Sequence, residues 1–220
     1  MCGRYTLKSS ERTLQAAFPG VMFPDSLPPR FNIAPTQPVL AITGDDPSHA
    51  TFLRWGLVPP WAKDLKLGSK LINARAEEAA HKPPFRAAYQ RRRCVLIADG
   101  FYEWRPAERG KKKEPVFYAM RDDAPFAFAG LWERWWPGHG AEPIATCTLL
   151  TTDANALVRR VHDRMPVLLR PRDIARWLDP QADSQELLAP FPAEALRARD
   201  VSTAVNDANH EAPDCLAPAQ

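Results

Sequence analysis

The stretch Cys94-Val95-Leu96-Ile97-Ala98-Asp99-Gly100-Phe101-Tyr102-Glu103-Trp104 joins an unbroken apolar run to a segment rich in aromatic residues. The run over residues 94–98 predicts a buried strand, because a short continuous apolar segment suits a position covered on both faces. Glu103 lies between two aromatic residues at a strand end, where burial can raise the pKa of its carboxyl toward neutral pH. The plainer interpretation is a glutamate on the polar face of an alternating strand, and spacing alone favours it.

Short strands of this kind recur along the chain, and helices are few. Ser10 is expected to cap a short helix, and residues 170–178 predict another. Residues 151–155 are expected to cap a third helix that leaves His162 at its C-terminus, where the helix dipole favours a protonated imidazole. The pattern predicts one α+β domain with a curved, barrel-like antiparallel or mixed β-sheet core flanked by short helices. The other strand-like runs are residues 4–7, 39–42, 51–55, 115–120, 125–132, 144–151 and 199–205.

Length and composition set the class of protein. With 220 residues, 45% of them apolar, the chain can bury a large core in one domain, expected over residues 1–206 with a loose tail over 207–220. No apolar run approaches a membrane span and no signal-peptide core is visible, so a cytoplasmic protein is expected. The four cysteines are far apart, which suggests neither a zinc site nor a disulfide framework, and no cofactor is predicted. They are Cys2, Cys94, Cys147 and Cys215, of which the middle two lie in strand-like runs.

The formal net charge of +3 is too small to indicate a nucleic acid partner by itself. Residues 85–93 interleave aromatic side chains with arginines, a composition typical of surfaces that stack bases and neutralise phosphates. A solvated helix face is an equally good interpretation of that run. Trp55 is expected in the core, and Trp61, beside Lys63, is a candidate surface platform.

Cys2 is the candidate nucleophile. If Met1 is removed, the chain begins with a 1,2-aminothiol, whose amine has a reference pKa of about 7.7–8.0 against about 10.4 for lysine. Such an end can form an imine with an aldehyde and then close to a thiazolidine. A lone cysteine near a terminus is more often a small apolar residue that starts a strand.

Eight short motifs, taken together and in order, resemble the SOS response-associated peptidase family, also called abasic-site processing proteins. Each is weak alone, and together they span nearly the whole chain. They are Met1-Cys2-Gly3-Arg4-Tyr5, Asn32-Ile33-Ala34-Pro35-Thr36, Arg54-Trp55-Gly56-Leu57, Asn73-Ala74-Arg75-Ala76-Glu77, Ala98-Asp99-Gly100-Phe101-Tyr102-Glu103-Trp104, Ala129-Gly130-Leu131-Trp132, Thr151-Thr152-Asp153-Ala154-Asn155 and His162-Asp163-Arg164-Met165-Pro166-Val167. Departures from the family pattern fall at Phe31, Ile97 and Glu78, outside the proposed catalytic positions.

The resemblance implies a covalent thiazolidine crosslink between Cys2 and an abasic site in single-stranded DNA, which shields the lesion. It implies a lyase-like crosslinking enzyme without metal or cofactor, and we expect a monomer that acts near DNA in the cytoplasm. The implied catalytic residues are Cys2, Asn73, Glu103 and His162. The implied DNA-binding residues are Arg4, Trp61, Arg75, Arg86 and Arg164.

Two other functions stay open on the sequence. An N-terminal-nucleophile cysteine peptidase or amidohydrolase also uses a terminal cysteine, and the peptidase in the family name can refer to self-removal of Met1. Against an amidohydrolase, no synthetase or ammonia-accepting domain is visible. A non-catalytic single-strand binder, in which Cys2 is incidental, is the second alternative.

Overall fold

Two β-sheets with short flanking helices make up the computed structural model, which describes residues 2–106, 113–138 and 140–219. The run Lys111-Lys112-Lys113 predicts a hairpin tip, of which only Lys113 is among the described residues, and His139 lies outside them. The strands are β1 Tyr5–Leu7, β2 Arg30–Ile33, β3 Pro38–Thr43, β4 Asp46–Trp55, β5 Asn73–Arg75, β6 Arg93–Ala98, β7 Gly100–Arg105, β8 Glu114–Met120, β9 Phe126–Trp135, β10 Ile144–Asp153, β11 Arg164–Pro166, β12 Leu168–Leu169 and β13 Leu196–Asp200. The helices are α1 Glu11–Ala17, α2 Ala76–Ala79, α3 Arg86–Arg91 and α4 Ile174–Leu178.

The larger sheet closes into a barrel. Its strands run in the order β10-β4-β3-β6-β9, and β9 pairs back onto β10 from Ile144 opposite Trp135 to Leu149 opposite Gly130. The β4–β10 pair is parallel, whereas the other pairs of this ring are antiparallel. Closure leaves these strands without free edges. The predicted fold, an α+β domain with a curved, barrel-like mixed sheet and few helices, is confirmed.

The smaller sheet, in the order β13-β8-β7-β1-β2, packs on the barrel and carries the N-terminus. Tyr5 of β1 lies fully buried, with its ring edge-on to Trp55 and Phe128 of the barrel at 5.4 Å. Between β6 and β7, the buried carboxylate of Asp99 accepts hydrogen bonds from the Thr6 hydroxyl and from two backbone amides after β1. Residues 94–104 therefore join the two sheets and hold the first strand in place.

The short helices follow the sequence signals only in part. Ser10 caps α1 as predicted, with its hydroxyl accepting from the Thr13 amide. The helix predicted after residues 151–155 is wrong, because β10 extends through Asp153 in pairing with β11. A single 3-10 turn, Val158–Arg160, follows instead, and Asn155 Oδ1 accepts from its first amide at 2.9 Å.

The aromatic residues of the arginine-rich segment before β6 belong to the core. Phe85 and Tyr89 are buried. Arg93 is also buried, between the rings of Tyr89 and Trp177, and donates to the Ser184 hydroxyl at 2.9 Å. The prediction that Phe85 and Tyr89 stack bases is therefore wrong, because α3 packs its aromatic side on the barrel, while Arg86 and Arg91 stay exposed.

The expectation of a loose tail is also wrong for residues 207–219. The buried side chain of Asn32 donates to the carbonyls of Asp207 and His210 at 2.8 and 2.7 Å. The side chain of Glu211 accepts from the Asn32 amide at 3.0 Å, and Cys215 is fully buried. The segment is fixed because it supplies hydrogen-bond partners to polar groups of β2 that would otherwise be unpaired.

Cys94 and Cys147 lie fully buried, as predicted. Within the described part of the chain, no helix is long and apolar enough to cross a membrane.

Candidate active site

The register of β1 against β7 brings the N-terminus to Glu103. Tyr5 pairs with Phe101, and the Tyr102 amide donates to the Arg4 carbonyl at 3.0 Å. Continuing that antiparallel register sets Gly3 opposite Glu103. Both residues line a cleft of about 1040 Å³, with Arg4, Pro35, Trp104, Lys113, His162, Thr203, Ala204, Asn206, Asp207 and His210.

Asn73 fixes the backbone of Cys2. Strand β5 runs parallel to β10, with Asn73 opposite Leu149, and its side-chain amide donates to the Cys2 carbonyl at 2.9 Å. Its other amide atom, Oδ1, is buried and has no hydrogen-bond partner among the described residues. Asn73 thus holds residue 2 through its amide donor, while its amide oxygen remains available as an acceptor.

Glu103 is an acid with an altered proton affinity. Its side chain lies only 3% exposed at the base of the cleft. Burial, with a smaller contribution from the charge of Asp163, raises the pKa of Glu103 to about 7. The carboxyl can therefore gain or lose its proton near neutral pH and can act as donor or acceptor.

His162 faces the same cleft from the loop after β10. Its Nδ1 accepts from the Arg164 amide at 2.9 Å, which assigns the proton of the neutral ring to Nε2. The carboxylate of Asp163 also lies 2.9 Å from Nδ1, but a neutral ring that accepts there cannot donate to it. The Asp163 side chain is 86% exposed, so water competes for its carboxylate. We therefore assign the hydrogen bond from the Arg164 amide as the dominant contact of Nδ1.

The expectation that a helix dipole favours protonated His162 is wrong. Burial, the largest cause, lowers the pKa of His162. The preceding turn has only three residues, so it supplies little dipole.

The Cys2 thiol is shielded. It is fully buried, with Sγ 3.6 Å from the Arg4 carbonyl. Burial, and then the charge of Glu103, raise the pKa of the Cys2 thiol far above its ordinary value. Cys2 therefore carries a neutral thiol in this structure, beside a carboxyl that can exchange protons.

Arg4 is the predicted DNA-binding residue that lines the cleft. Its Nη1 donates to Asn32 Oδ1 and to the Val205 carbonyl, both at 2.7 Å. Its guanidinium also lies 5.9 Å from the centre of the Trp104 ring.

The other four predicted DNA-binding residues lie outside the cleft lining. Trp61 is 61% exposed, Arg86 is exposed at the start of α3, and Arg75 lies 3.5 Å from a carboxylate oxygen of Glu78. Arg164 is largely buried, and its guanidinium donates to Glu77, Asp153 and the Thr151 carbonyl. Its Nη1 and Nη2 are used within the protein, whereas its buried Nε has no hydrogen-bond partner among the described residues.

Sequence reasoning missed the wall of the cleft opposite Glu103. Trp104 donates from Nε1 to Asn206 Oδ1 at 2.6 Å, and Asp207 and His210 continue that wall. No local pattern indicates this contact, because Trp104 and Asn206 lie a hundred residues apart in the chain.

In the described part of the chain, a group that could approach one metal ion is His210, Asp214 and Cys215, whose ligand atoms lie within 4.8 Å of one another. His210 Nε2 and Asp214 Oδ1 already share a hydrogen bond of 2.6 Å, and the Cys215 thiol donates to the His210 carbonyl. These contacts account for the group without an ion.

Comparisons with known proteins agree along the chain. Residues 1–208 match the family model described as SOS response associated peptidase (SRAP). The chain is 42% identical over 223 residues to abasic site processing protein YoaM of Bacillus subtilis (strain 168), with 98% of this chain and 97% of that protein covered. It is 41% identical over 226 residues to abasic site processing protein YoqW of the same strain, with 98% and 99% covered. A crystal structure of a protein from Bacteroides thetaiotaomicron covers all of both chains with a TM-score of 0.87 at 24% identity, a likeness of fold alone.

Proposed function

Since the chain belongs to the SOS response associated peptidase family, we propose that it processes abasic sites by a covalent crosslink from Cys2 to single-stranded DNA. The observation that carries the proposal is the convergence on residues 2 and 3. The Asn73 amide binds the Cys2 carbonyl, while Glu103 and His162 line one cleft with Gly3.

The first step is opening of the sugar. An abasic deoxyribose is mostly a closed hemiacetal, so a proton must leave its anomeric hydroxyl and another must reach the ring oxygen to release the aldehyde. Glu103, with a pKa of about 7, suits both transfers. The Nε2–H of neutral His162 supplies a second donor in the cleft.

Bond formation then uses the amine and the thiol of Cys2, and removal of Met1 frees the amine. The amine nitrogen attacks the aldehyde carbon, the carbinolamine loses water, and the sulfur adds to the imine carbon to close the thiazolidine. The thiol proton returns to the imine nitrogen through a neighbouring base, so the net reaction joins aldehyde and aminothiol and releases one water. Asn73 Oδ1, a buried acceptor, suits a hydrogen bond to the amine or to the carbinolamine hydroxyl.

The strand preference follows from the shape and chemistry of the cleft. Arg4 offers a positive charge at its wall, and Trp104 an aromatic ring. Exposed base faces of a single strand can stack on aromatic rings for about 1–3 kcal/mol per base, whereas a duplex hides them. We expect little sequence preference and steep salt dependence of the non-covalent step.

Intact-mass spectrometry with and without an abasic single-stranded oligonucleotide tests the proposal. The expected product is protein without Met1 plus oligonucleotide minus one water, stable to heat and denaturant. Cys2→Ser should abolish this stable adduct, and Cys147→Ala, a buried thiol of the barrel, is the matched control that should retain it. The same stable adduct from Cys2→Ser, or active protein that keeps Met1, would contradict the proposal.

Further variants separate the proton-transfer groups from the nucleophile. Glu103→Gln and His162→Ala should slow crosslinking by about 10²–10⁴-fold without abolishing it, since acid–base help has that range.

The amidohydrolase alternative gains no support from the site. Burial and the charge of Glu103 raise the pKa of the Cys2 thiol, which disfavours a thiolate in hydrolysis and in ring closure alike. Release of ammonia from glutamine would decide for that alternative. A non-catalytic single-strand binder would leave no covalent bond to DNA after denaturation.

A further inference from the structure

A second concave site lies at the C-terminal end of β9, outside the cleft. It is a pocket of about 200 Å³ lined by Asp45, Pro60, Arg92, Trp132, Glu133, Arg134 and Trp136. That volume suits a phosphate group with part of its sugar better than a whole nucleotide.

Two buried donors of this pocket have no acceptor among the described residues. Trp132 is only 3% exposed, yet its indole Nε1 makes no hydrogen bond. The Nε of Arg92 is likewise buried and unpaired, although its Nη2 binds Glu133 at 2.8 Å. Because an unsatisfied buried donor costs about 1–3 kcal/mol, two in one pocket indicate a ligand that accepts hydrogen bonds.

The two arginines and two acids of the lining carry no net charge, so an anion depends on where the unpaired guanidinium lies. The guanidinium of Arg134 lies 5.1 Å from the centre of the Trp132 ring, and no ion pair of Arg134 is found in the described part of the chain. The Glu133 carboxylate is taken by Arg92 and by the Arg134 amide at 3.0 Å. Asp45 is the remaining acid, and because it is exposed, water screens it.

Exposed aromatic rings surround the pocket. Trp136 lines it and is 54% exposed, and Trp61, 61% exposed, follows the lining residue Pro60. The Trp135 indole donates to the Ala62 carbonyl at 2.7 Å, which ties this loop to the end of β9. Rings beside oxyanion donors are the combination that a single strand needs for stacked bases and phosphates.

We propose that this pocket binds a backbone phosphate of the DNA strand that carries the lesion, through Trp132, Arg92 and Arg134, with Trp136 and Trp61 as flanking stacking faces. This inference rests on the proposed function and adds a subsite to it. The span sets the strand length required: Asn73 pairs with β10 at Leu149, and the lining residue Arg134 pairs at Ala145. Four residues of strand cover roughly 13 Å, or about four stacked nucleotides at 3.4 Å each.

Equilibrium binding of single-stranded oligonucleotides with a tetrahydrofuran abasic analogue, which has no aldehyde, tests the subsite without crosslinking. The lesion is placed at one end, followed by two or eight nucleotides in either polarity. With eight nucleotides in one polarity, Trp132→Phe and Arg134→Gln should each weaken binding about tenfold, and Arg134→Gln should lower the salt slope by about 0.7. With two nucleotides, both should bind like the wild type.

Arg12→Gln, which removes the same charge from the exposed face of α1, is the matched control and should leave binding and slope unchanged. Because Trp132 is a core residue, Trp132→Phe is compared with the wild type under conditions in which both have equal stability. If Trp132→Phe does not fold, the surface variant Arg134→Gln decides alone. Equal affinity of wild type and Arg134→Gln for every oligonucleotide would overturn the proposal.

A second measurement separates a strand phosphate from a free anion. The indole N–H signal of Trp132, assigned by its loss in Trp132→Phe, should shift with the long oligonucleotide. A shift with inorganic phosphate but not with the oligonucleotide would overturn the strand assignment. If wild-type protein forms no adduct with a true abasic site, the proposed function fails, while the tetrahydrofuran series still reports on the pocket.

Discussion

Replacing Glu103 by glutamine should stabilise the protein at alkaline pH and change it little at acid pH. Glu103 is buried, and burial raises its pKa from the ordinary 4.5 to about 7. The folded state therefore holds this proton more tightly than the unfolded chain does. Below about pH 4.5 both states are protonated and the carboxyl costs nothing. As pH rises toward 7, the folded protein loses stability, and above that the cost is constant.

The linkage relation gives the size of this effect. With the proton affinities above, the charged carboxyl costs about 1 kcal/mol at about pH 5 and about 3 kcal/mol at about pH 8. Glutamine fills nearly the same volume without a charge. The stability difference, variant minus wild type, should therefore grow by about 2 kcal/mol or slightly more between these two pH values.

Urea unfolding of both proteins at the two pH values, followed by tryptophan fluorescence, measures this difference. Glu78→Gln, on the exposed surface of α2, is the matched control, because its carboxylate has only surface ion pairs with Arg75 and Lys82. The control should show no comparable change with pH. A stability difference for Glu103→Gln that is the same at both pH values would refute the argument that burial alters the proton affinity of this acid.

Three further predictions follow from named contacts. Asn73→Ala removes the hydrogen bond to the Cys2 carbonyl and should slow single-turnover crosslinking about tenfold with little loss of stability, and an unchanged rate would remove Asn73 from the site. Asp99→Ala leaves the Lys8 and Ser9 amides without their acceptor and should lower the free energy of unfolding by about 3 kcal/mol in urea, with exposed Asp122→Ala as control. Truncation after Asn206 removes two of the carbonyls that accept from the buried Asn32 amide and should lower the melting temperature by several degrees, whereas removing residues 219–220 should not. Equal melting temperatures would mean that the C-terminal segment contributes nothing to stability.

The strand content of the protein was predictable because its signals are local. The apolar run 94–98 lies within the buried strand β6, all but the first of residues 125–132 fall within β9, and residues 144–151 fall within β10. The cap at Ser10 also acts over three residues and is confirmed. Each of these depends on side chains within one turn or one strand, so the chain itself contains the information.

Segments 85–93 and 207–219 show where local reading fails. Alternating rings and arginines fit a DNA-stacking face and a solvated helix face equally well, and the packing of Tyr89 and Arg93 on Trp177 places the aromatic side in the core instead. The C-terminal segment has a composition typical of loose chain. It is fixed by Asn32, at a distance of about 175 residues that no periodicity can reveal.

The sequence by itself determined the kinds of groups available: a cysteine next to the start, an acid between aromatic rings, and a histidine before a proline-stiffened loop. Tertiary structure alone decided that Gly3 and Glu103 line one cleft, and that burial shifts the proton affinities of Glu103 and His162 in opposite directions. The reason is that the desolvation cost of a charge depends on everything packed around it, and those neighbours come from strands far apart in the chain.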